Sequence, residues 1–406
     1  MRICFVSRRF FPAVSGMSVY AHNLLRELVK AGHDVTLISQ FRGDEAGVRI
    51  YGGGPPPAIE GVKVIGLRSW GEENGGDFER DVDDMAATII AEHEQDAFDI
   101  VHAQYAYPNG WAALLAAETI AVPVVVSIQG GDGHWIGSCC DTHRVAMERV
   151  ITGADALVIG GLSFLTELTG RLDVPVGRFR IVPGGVDVAR FTPATVKRTG
   201  PVRILYHGRV DRRKGVLDFV EAIARLRTLG IDFTSTVSGI GPDQNAARAR
   251  ADFLKLEPRT VCFSGAVAYD DVASVYRGAD IFVSPTYAEG FSNTILEAMA
   301  SGVTIASCDT VGVNDCLRHG ENALLSRPGD IEALTDHLRR LIEDDALRQQ
   351  LADAALHECR RMYSWPRVSE MIVEIYDAVK SSTRRPTINR ELPIADCRFR
   401  SQPHLL

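Results

Sequence analysis

The stretch FVSPTYAEGFSNTILEAMA, residues 282–300, decides the reading of this chain. FVSP reads as a short buried strand, and the hydroxyl of Ser292 is placed to cap the helix that follows. The backbone N–H groups of Gly290, Phe291, Ser292 and Asn293 then face whatever sits at the helix start, a position that favours anions. Two glutamates flank this start: Glu289 in the glycine-containing loop and Glu297 about one turn into the helix. A loop carboxylate can grip sugar hydroxyls while a second takes a ribose diol, so the spot suggests a nucleotide sugar. Two glutamates at this spacing also arise by chance, and carboxylates on helix surfaces are usually solvated. What lifts the pair is GFSNTIL after a strand, followed by EAMASG.

Outward from this stretch, short apolar runs alternate with helix-period segments, the pattern of parallel sheets covered by helices on both faces. In the first half the strands are expected at 2–7, 34–39, 62–67, 99–104, 123–129, 156–161 and 179–184, with an amphipathic helix over 17–31. The segment 40–61, with GGGPPP at 52–57, reads as a long excursion. Periodicity is lost over ARFTPATVKRTGP near 190–201, which marks a boundary. A second alternation follows at 202–208, 232–239, 261–265, 281–285 and 303–307, and helices near 330–344, 346–362 and 366–380 close the chain.

At 406 residues the chain suits two domains. Its net charge of −8 argues against nucleic acid or an anionic membrane surface as the main partner. No apolar run approaches the roughly 20 residues that span a bilayer, and MRICFVSRRFFP reads as a first strand rather than a signal peptide. The cytoplasm is the expected compartment. Of eight cysteines none forms a C-x-x-C pair, so structural zinc is not expected. Asp81-Val82-Asp83 could hold a metal in another architecture, but it sits in an acidic helix-like segment and reads as a solvated face.

The 282–300 stretch resembles the Glu-x7-Glu signature of the retaining family 4 glycosyltransferases. SGMSVYAHNLLRELVKAGHDVTLIS (15–39), DIVHAQYAYPNGW (99–111), IVPGGVDVARF (181–191) and HGRVDRRKG (207–215) are similar to further pieces of that family, in its order, over roughly residues 1–380. The resemblance implies the GT-B fold, α/β, with two Rossmann-like doubly wound parallel-sheet domains facing a central cleft. On that basis residues 1–190 form an N-terminal acceptor-binding domain and 191–365 a C-terminal nucleotide-sugar-binding domain. Residues 366–380 form a helix crossing back to the first domain, and 381–406 are a poorly ordered tail.

In open parallel sheets ligands bind at the carboxyl ends of strands. HGRVDRRKG follows a strand directly, so Arg209 and Lys214 would project there. Arg forks two oxygens of a diphosphate and Lys supplies a mobile point charge. A solvated basic loop is the plainer alternative; the resemblance assigns Arg209 and Lys214 to the pyrophosphate and leaves Arg212 and Arg213 as surface. It further implies that Glu289 holds hydroxyls of the transferred sugar and Glu297 the ribose. Gly16, at a helix start, approaches a phosphate, although the family usually has Gly-Gly where this chain has Ser15-Gly16. Gly241, in SGIGP, resembles the family's turn beside the nucleotide, though any tight turn explains it as well. Val267 would bracket the base through its backbone.

On the acceptor side the chain departs from the pattern. Gln129 stands in PVVVSIQGGDGHW where a histidine is common; it can donate a hydrogen bond but cannot carry a proton. Either the donor sugar is handled differently, or catalysis needs no titrating group there, as in a front-face reaction whose departing phosphate accepts the proton. His134 could substitute, or could be structural. His102 resembles a histidine the family carries, or is a hydrogen-bonded strand residue. Tyr105, Asp132 and Trp135, with His102 and His134, suit a polar acceptor such as a sugar, cyclitol or aminocyclitol. Arg8, Arg9, Phe10 and Phe11 reach the same pocket or mark contact with a lipid headgroup.

The expectation is therefore a retaining, metal-independent hexosyltransferase. It would move a hexose or N-acetylhexosamine from a UDP- or GDP-sugar, with no other cofactor, to a small polar acceptor in natural-product or low-molecular-weight-thiol biosynthesis. The alternatives are a lipid-headgroup glycosyltransferase, a nucleotide-sugar epimerase and a non-catalytic nucleotide-sugar-binding subunit.

Overall fold

The structure is a computed structural model and describes residues 1–43, 53–71, 78–130, 141–172, 174, 176–196 and 199–382. The chain forms two compact units, Met1–Pro183 with the chain from Pro366 onward, and Gly184–Trp365.

The first unit holds a seven-stranded parallel sheet in the order β3-β2-β1-β4-β5-β6-β7. Its strands are β1 (Arg2–Ser7), β2 (Asp34–Phe41), β3 (Val62–Arg68), β4 (Ile100–Gln104), β5 (Val124–Ile128), β6 (Ala156–Ile159) and β7 (Phe179–Ile181). β1 is central, with Ile3 opposite both Val35 and Ile100. Its residues from Ile3 to Ser7 are fully buried, because helices cover both faces, and this is why they read as one apolar run. The helix Gly16–Lys30 starts where the Ser15 hydroxyl accepts from the Ser18 N–H at 3.3 Å. The last helix, Trp365–Lys380, adds Val368, Ile372 and Tyr376 to this core, and Lys380 Nζ meets Asp99 Oδ1 at 2.7 Å.

The second unit holds six parallel strands in the order β10-β9-β8-β11-β12-β13. They are β8 (Val202–His207), β9 (Phe233–Ser238), β10 (Val261–Gly265), β11 (Ile281–Ser284), β12 (Thr304–Cys308) and β13 (Leu324–Ser326). One face packs on Phe219, Ile223 and Leu338, the other on Tyr276, Leu296 and Met299. Residues 184–190, read above with the first domain, belong to the second unit. Val186 bridges to Ser364, and Gly185 lies against the Trp365 indole so closely that a Cβ there would sit 2.6 Å from the ring.

In both sheets the strand order turns back at one place, between β1 and β4 and between β8 and β11. Such switch points open a crevice outside the carboxyl ends of the two strands. Among the described residues no helix is long and apolar enough to cross a membrane.

Candidate active site

In the second unit the switch point is flanked by the loop after β8, carrying Arg209 and Lys214, and the loop after β11, carrying Glu289. Lys214 Nζ lies 2.7 Å from Glu289 Oε1. The contact depends on Gly215, which has φ +73° and whose Cβ, if it had one, would stand 1.9 Å from the Pro285 carbonyl oxygen. Only glycine lets the two loops approach so closely. The Tyr287 N–H donates to Arg213 O at 3.0 Å and the Glu289 N–H to Val311 O at 3.0 Å, so backbone bonds fix Glu289 from two sides.

Arg209 pairs with Asp211, Nε to Oδ2 3.4 Å. Asp211 also accepts from the Arg213 N–H at 2.8 Å and from its guanidinium at 2.9 Å. Burial pushes the Asp211 carboxyl up, but the Arg213 hydrogen bonds outweigh it and the net displacement is downward. Arg212 is exposed, yet its guanidinium forks onto Asp243 Oδ1 at 2.7 and 3.0 Å. Arg212 and Arg213, expected as plain surface, are thus the ties that shape the basic loop. Gly241 closes the same region, since a Cβ there would lie 2.2 Å from Val210 O. Val267, just past β10, is half-buried against the core.

Ser292 is buried at the start of the helix Asn293–Ala300 in extended backbone, but its hydroxyl makes no capping bond; it meets the Thr294 hydroxyl at 3.1 Å. The capping bond expected of that hydroxyl is therefore not made. Phe291 turns its ring onto Tyr363, centroids 5.7 Å apart, so its contribution to the helix start is its backbone. Gly290 is buried and Asn293 half-buried at the same helix start.

Glu297 is 9% exposed and accepts from the Tyr276 hydroxyl at 2.9 Å. Burial pushes its carboxyl up to about 7, with the Tyr276 bond and Arg190 acting the other way. Tyr276 is fully buried among Phe191, His207 and Phe282. Sequence reasoning missed it, since the six-residue helix Val272–Arg277 is too short to display a period.

In the first unit the switch point centres on Gln104, fully buried and also missed. Its Oε1 lies 2.7 Å from the Ser7 hydroxyl, and its Nε2 donates to Met17 O at 3.1 Å and Gln129 Oε1 at 3.2 Å. Gln104 therefore brings Gln129 together with the turn of Gly16, the first residue of its helix. A glutamine among apolar strand residues is the signal that could have found it.

His102 faces no solvent. It stands mid-strand in β4, fully buried, with Nδ1 2.5 Å from the Tyr376 hydroxyl and Nε2 2.7 Å from the Ser127 hydroxyl. Burial lowers its pKa to about 3, so it is a neutral core residue. The acceptor role expected of it is corrected on that ground. Tyr105 follows β4 at φ +83° and is half-buried. Asp132, His134 and Trp135 lie outside the described residues, as do Cys139, Cys140 and the tail beyond 382.

Asp81 is also corrected: it is 1% exposed, not solvated. It accepts from the Ser69 hydroxyl at 2.8 Å and from the N–H groups of Trp70 and Gly71 at 2.6 and 3.0 Å, fixing the loop after β3. Among the described residues no cluster of three His, Cys, Asp or Glu side chains is placed to hold a metal ion.

Comparison with known proteins agrees with this geometry. Residues 201–344 match a family described as glycosyl transferases group 1, and residues 15–185 one described as glycosyl transferase 4-like domain. The chain belongs to the family 4 glycosyltransferases of the GT-B fold. It is 27% identical to a glycogen synthase of Mycobacterium tuberculosis (strain CDC 1551 / Oshkosh), over 98% of this chain and 99% of that protein. It is 24% identical to a D-inositol 3-phosphate glycosyltransferase of Corynebacterium urealyticum, over 97% and 98%. Among solved structures, a sucrose-phosphate synthase from Thermosynechococcus elongatus superposes with TM-score 0.79 at 19% identity, covering 93% of this chain and 98% of that one. Anabaena HepE in complex with UDP and glucose gives TM-score 0.73 at 15% identity, covering 93% and 100%.

Proposed function

We propose that this glycosyltransferase is retaining and metal-independent. In this reading it moves a hexose or N-acetylhexosamine from a nucleotide diphosphate sugar, UDP- or GDP-linked, to a small polar acceptor of the sugar or cyclitol kind. The observation that carries the proposal is the 2.7 Å contact of Lys214 with Glu289 at the switch point of the second sheet. It sets a donor for phosphate oxygens beside an acceptor for sugar hydroxyls. Arg209 and Lys214 stabilise the charge that grows on the leaving diphosphate, a preorganised electrostatic effect. Glu289 orients the transferred sugar and Glu297 takes the ribose. The departing phosphate accepts the acceptor's proton, so Gln129 needs only to hydrogen-bond, which suits a side chain that cannot titrate. The UDP complex of the Anabaena protein supports a nucleotide donor.

The test is nucleotide release from UDP-, GDP- and ADP-sugars, with and without pooled soluble acceptors, in the parent, Glu289→Ala and Lys214→Ala. Acceptor-dependent release is expected in the parent, with most of it lost in both variants while the fold survives. Turnover near the parent's in either variant would overturn these assignments.

A further inference from the structure

His207 closes β8, at the switch point of the second sheet, and is half-buried. Its Nδ1 lies 3.0 Å from the hydroxyl of Ser238, which ends β9 and is 1% exposed. Its ring packs edge-on against Tyr276, centroids 5.4 Å apart, and the Tyr276 hydroxyl in turn donates to Glu297 Oε2. Two contacts thus fix the ring, and neither uses Nε2. Among the described residues Nε2 makes no hydrogen bond, and it reaches solvent. His102 differs in both respects, being fully buried with each ring nitrogen beside a hydroxyl. A histidine oriented by one nitrogen and open at the other, at the carboxyl end of a parallel strand, stands where such sheets bind ligands.

The surface beside it is backbone. Gly208 and Gly239, directly after β8 and β9, and Gly265, the last residue of β10, have φ +133°, +129° and +78°. A Cβ at Gly239 would lie 1.9 Å from Gly208 O, so only glycine lets these strand ends meet. A ligand can therefore settle on three adjacent strand ends with His207 at its edge. Burial lowers the His207 pKa to about 4, so near pH 7 the ring is neutral and one nitrogen carries the proton. Where the Ser238 hydroxyl donates to Nδ1, Nε2 is a donor; where it accepts, Nε2 is an acceptor. A hydroxyl satisfies Nε2 in either tautomer, whereas a phosphate oxygen or a base carbonyl, which only accept, satisfy it in one. We propose that His207 Nε2 hydrogen-bonds a ribose hydroxyl of the donor nucleotide, completing with Glu297 the recognition of the ribose. Tyr276 touches both side chains and sets one relative to the other. This assignment deepens the donor reading above and rests on it.

The experiment is calorimetric titration of the full chain with UDP, with GDP, and with the 2′-deoxy and 3′-deoxy forms of whichever binds more tightly. His207→Asn keeps a polar atom where Nδ1 meets Ser238 and removes Nε2, whereas His207→Gln places an amide at the reach of Nε2. Thermal unfolding checks that both fold; His207→Phe, which keeps a ring against Tyr276, carries the same expectation if the asparagine variant does not. His207→Asn should bind the ribonucleotide about tenfold more weakly than the parent, while His207→Gln stays within about threefold. For one of the two deoxynucleotides, the one lacking the partner hydroxyl, the loss in His207→Asn should vanish. An equal loss with all three nucleotides would move the contact to base or phosphate and overturn the assignment, as would no loss, or a loss as large in His207→Gln. In each of those outcomes the parent still binds nucleotide, and the donor reading stands. A parent that binds none of the nucleotides would refute the donor reading and the ribose contact together.

Discussion

Replacing Glu297 by Gln should stabilise the second unit, by an amount that grows with pH. The carboxyl rises from 4.5 to about 7 on folding because burial strips it of water, more than the Tyr276 hydrogen bond and Arg190 restore. A group whose folded pKa is raised favours the folded state below its unfolded pKa and loses that advantage as pH climbs through the folded value. At about 1.4 kcal/mol per unit, this shift makes ionised Glu297 a cost of roughly 3 kcal/mol above pH 7, falling to less than about 1 near pH 5. Glutamine keeps an acceptor for Tyr276 and cannot ionise. The assay is urea unfolding of parent and variant near pH 5 and near pH 8, without nucleotide, following the second unit's transition separately. The parent-minus-variant difference cancels every other titrating group, and it should widen by on the order of 2.5 kcal/mol across that range. A difference that stays flat would refute the account of a buried, uncompensated carboxyl. The same shift makes a binding prediction. If the ionised form takes the ribose hydroxyls, nucleotide affinity in the parent rises as pH approaches about 7 and then levels, and Glu297→Gln flattens the profile.

Two other perturbations follow from close packing and from buried polar contacts. Gly215→Ala places a Cβ 1.9 Å from Pro285 O at φ +73°, so the loops of Lys214 and Glu289 must part. Thermal unfolding should report a loss of at least about 3 kcal/mol in the second unit, with donor turnover lost alongside. Gln104→Ala removes the partner of Ser7, Met17 O and Gln129 together, which should cost the first unit roughly 2–4 kcal/mol in urea unfolding. Nucleotide binding should be far less affected.

The strands were legible because a parallel sheet covered on both faces demands continuous apolar runs, as in Ile3–Val6 and Val124–Val126. β13 escaped because Leu324–Ser326 carries no period of its own, whereas the equally short β7 lies inside the longer run 179–184. The six-residue helix bearing Tyr276 escaped for the same reason. Asp81 misled in the other direction. Its acidic surroundings suggested a solvated face, whereas three donors from residues 69–71 draw it inward, and nothing in the local sequence names them.

The site divides along a similar line. Residue types at Arg209, Lys214, Glu289 and Glu297 could be read through resemblance, but the Lys214–Glu289 contact could not. It depends on the absence of one Cβ at Gly215, and a glycine after a basic loop is equally expected of any turn. His102, Gln104 and Glu297 make the point more generally. Each is a polar side chain in an apolar setting, and such a group must find a partner or carry a heavy cost. A reader of the sequence can therefore infer that partners exist. Their identity is set by the fold: the hydroxyl that meets His102 belongs to Tyr376, 274 residues further on, and the one that meets Glu297 is 21 residues back. The same burial makes His102 a neutral core residue and Glu297 a carboxyl poised near 7, so it is the partner and the solvent left to it, not the residue type, that separates a packing histidine from an acid able to titrate near neutral pH.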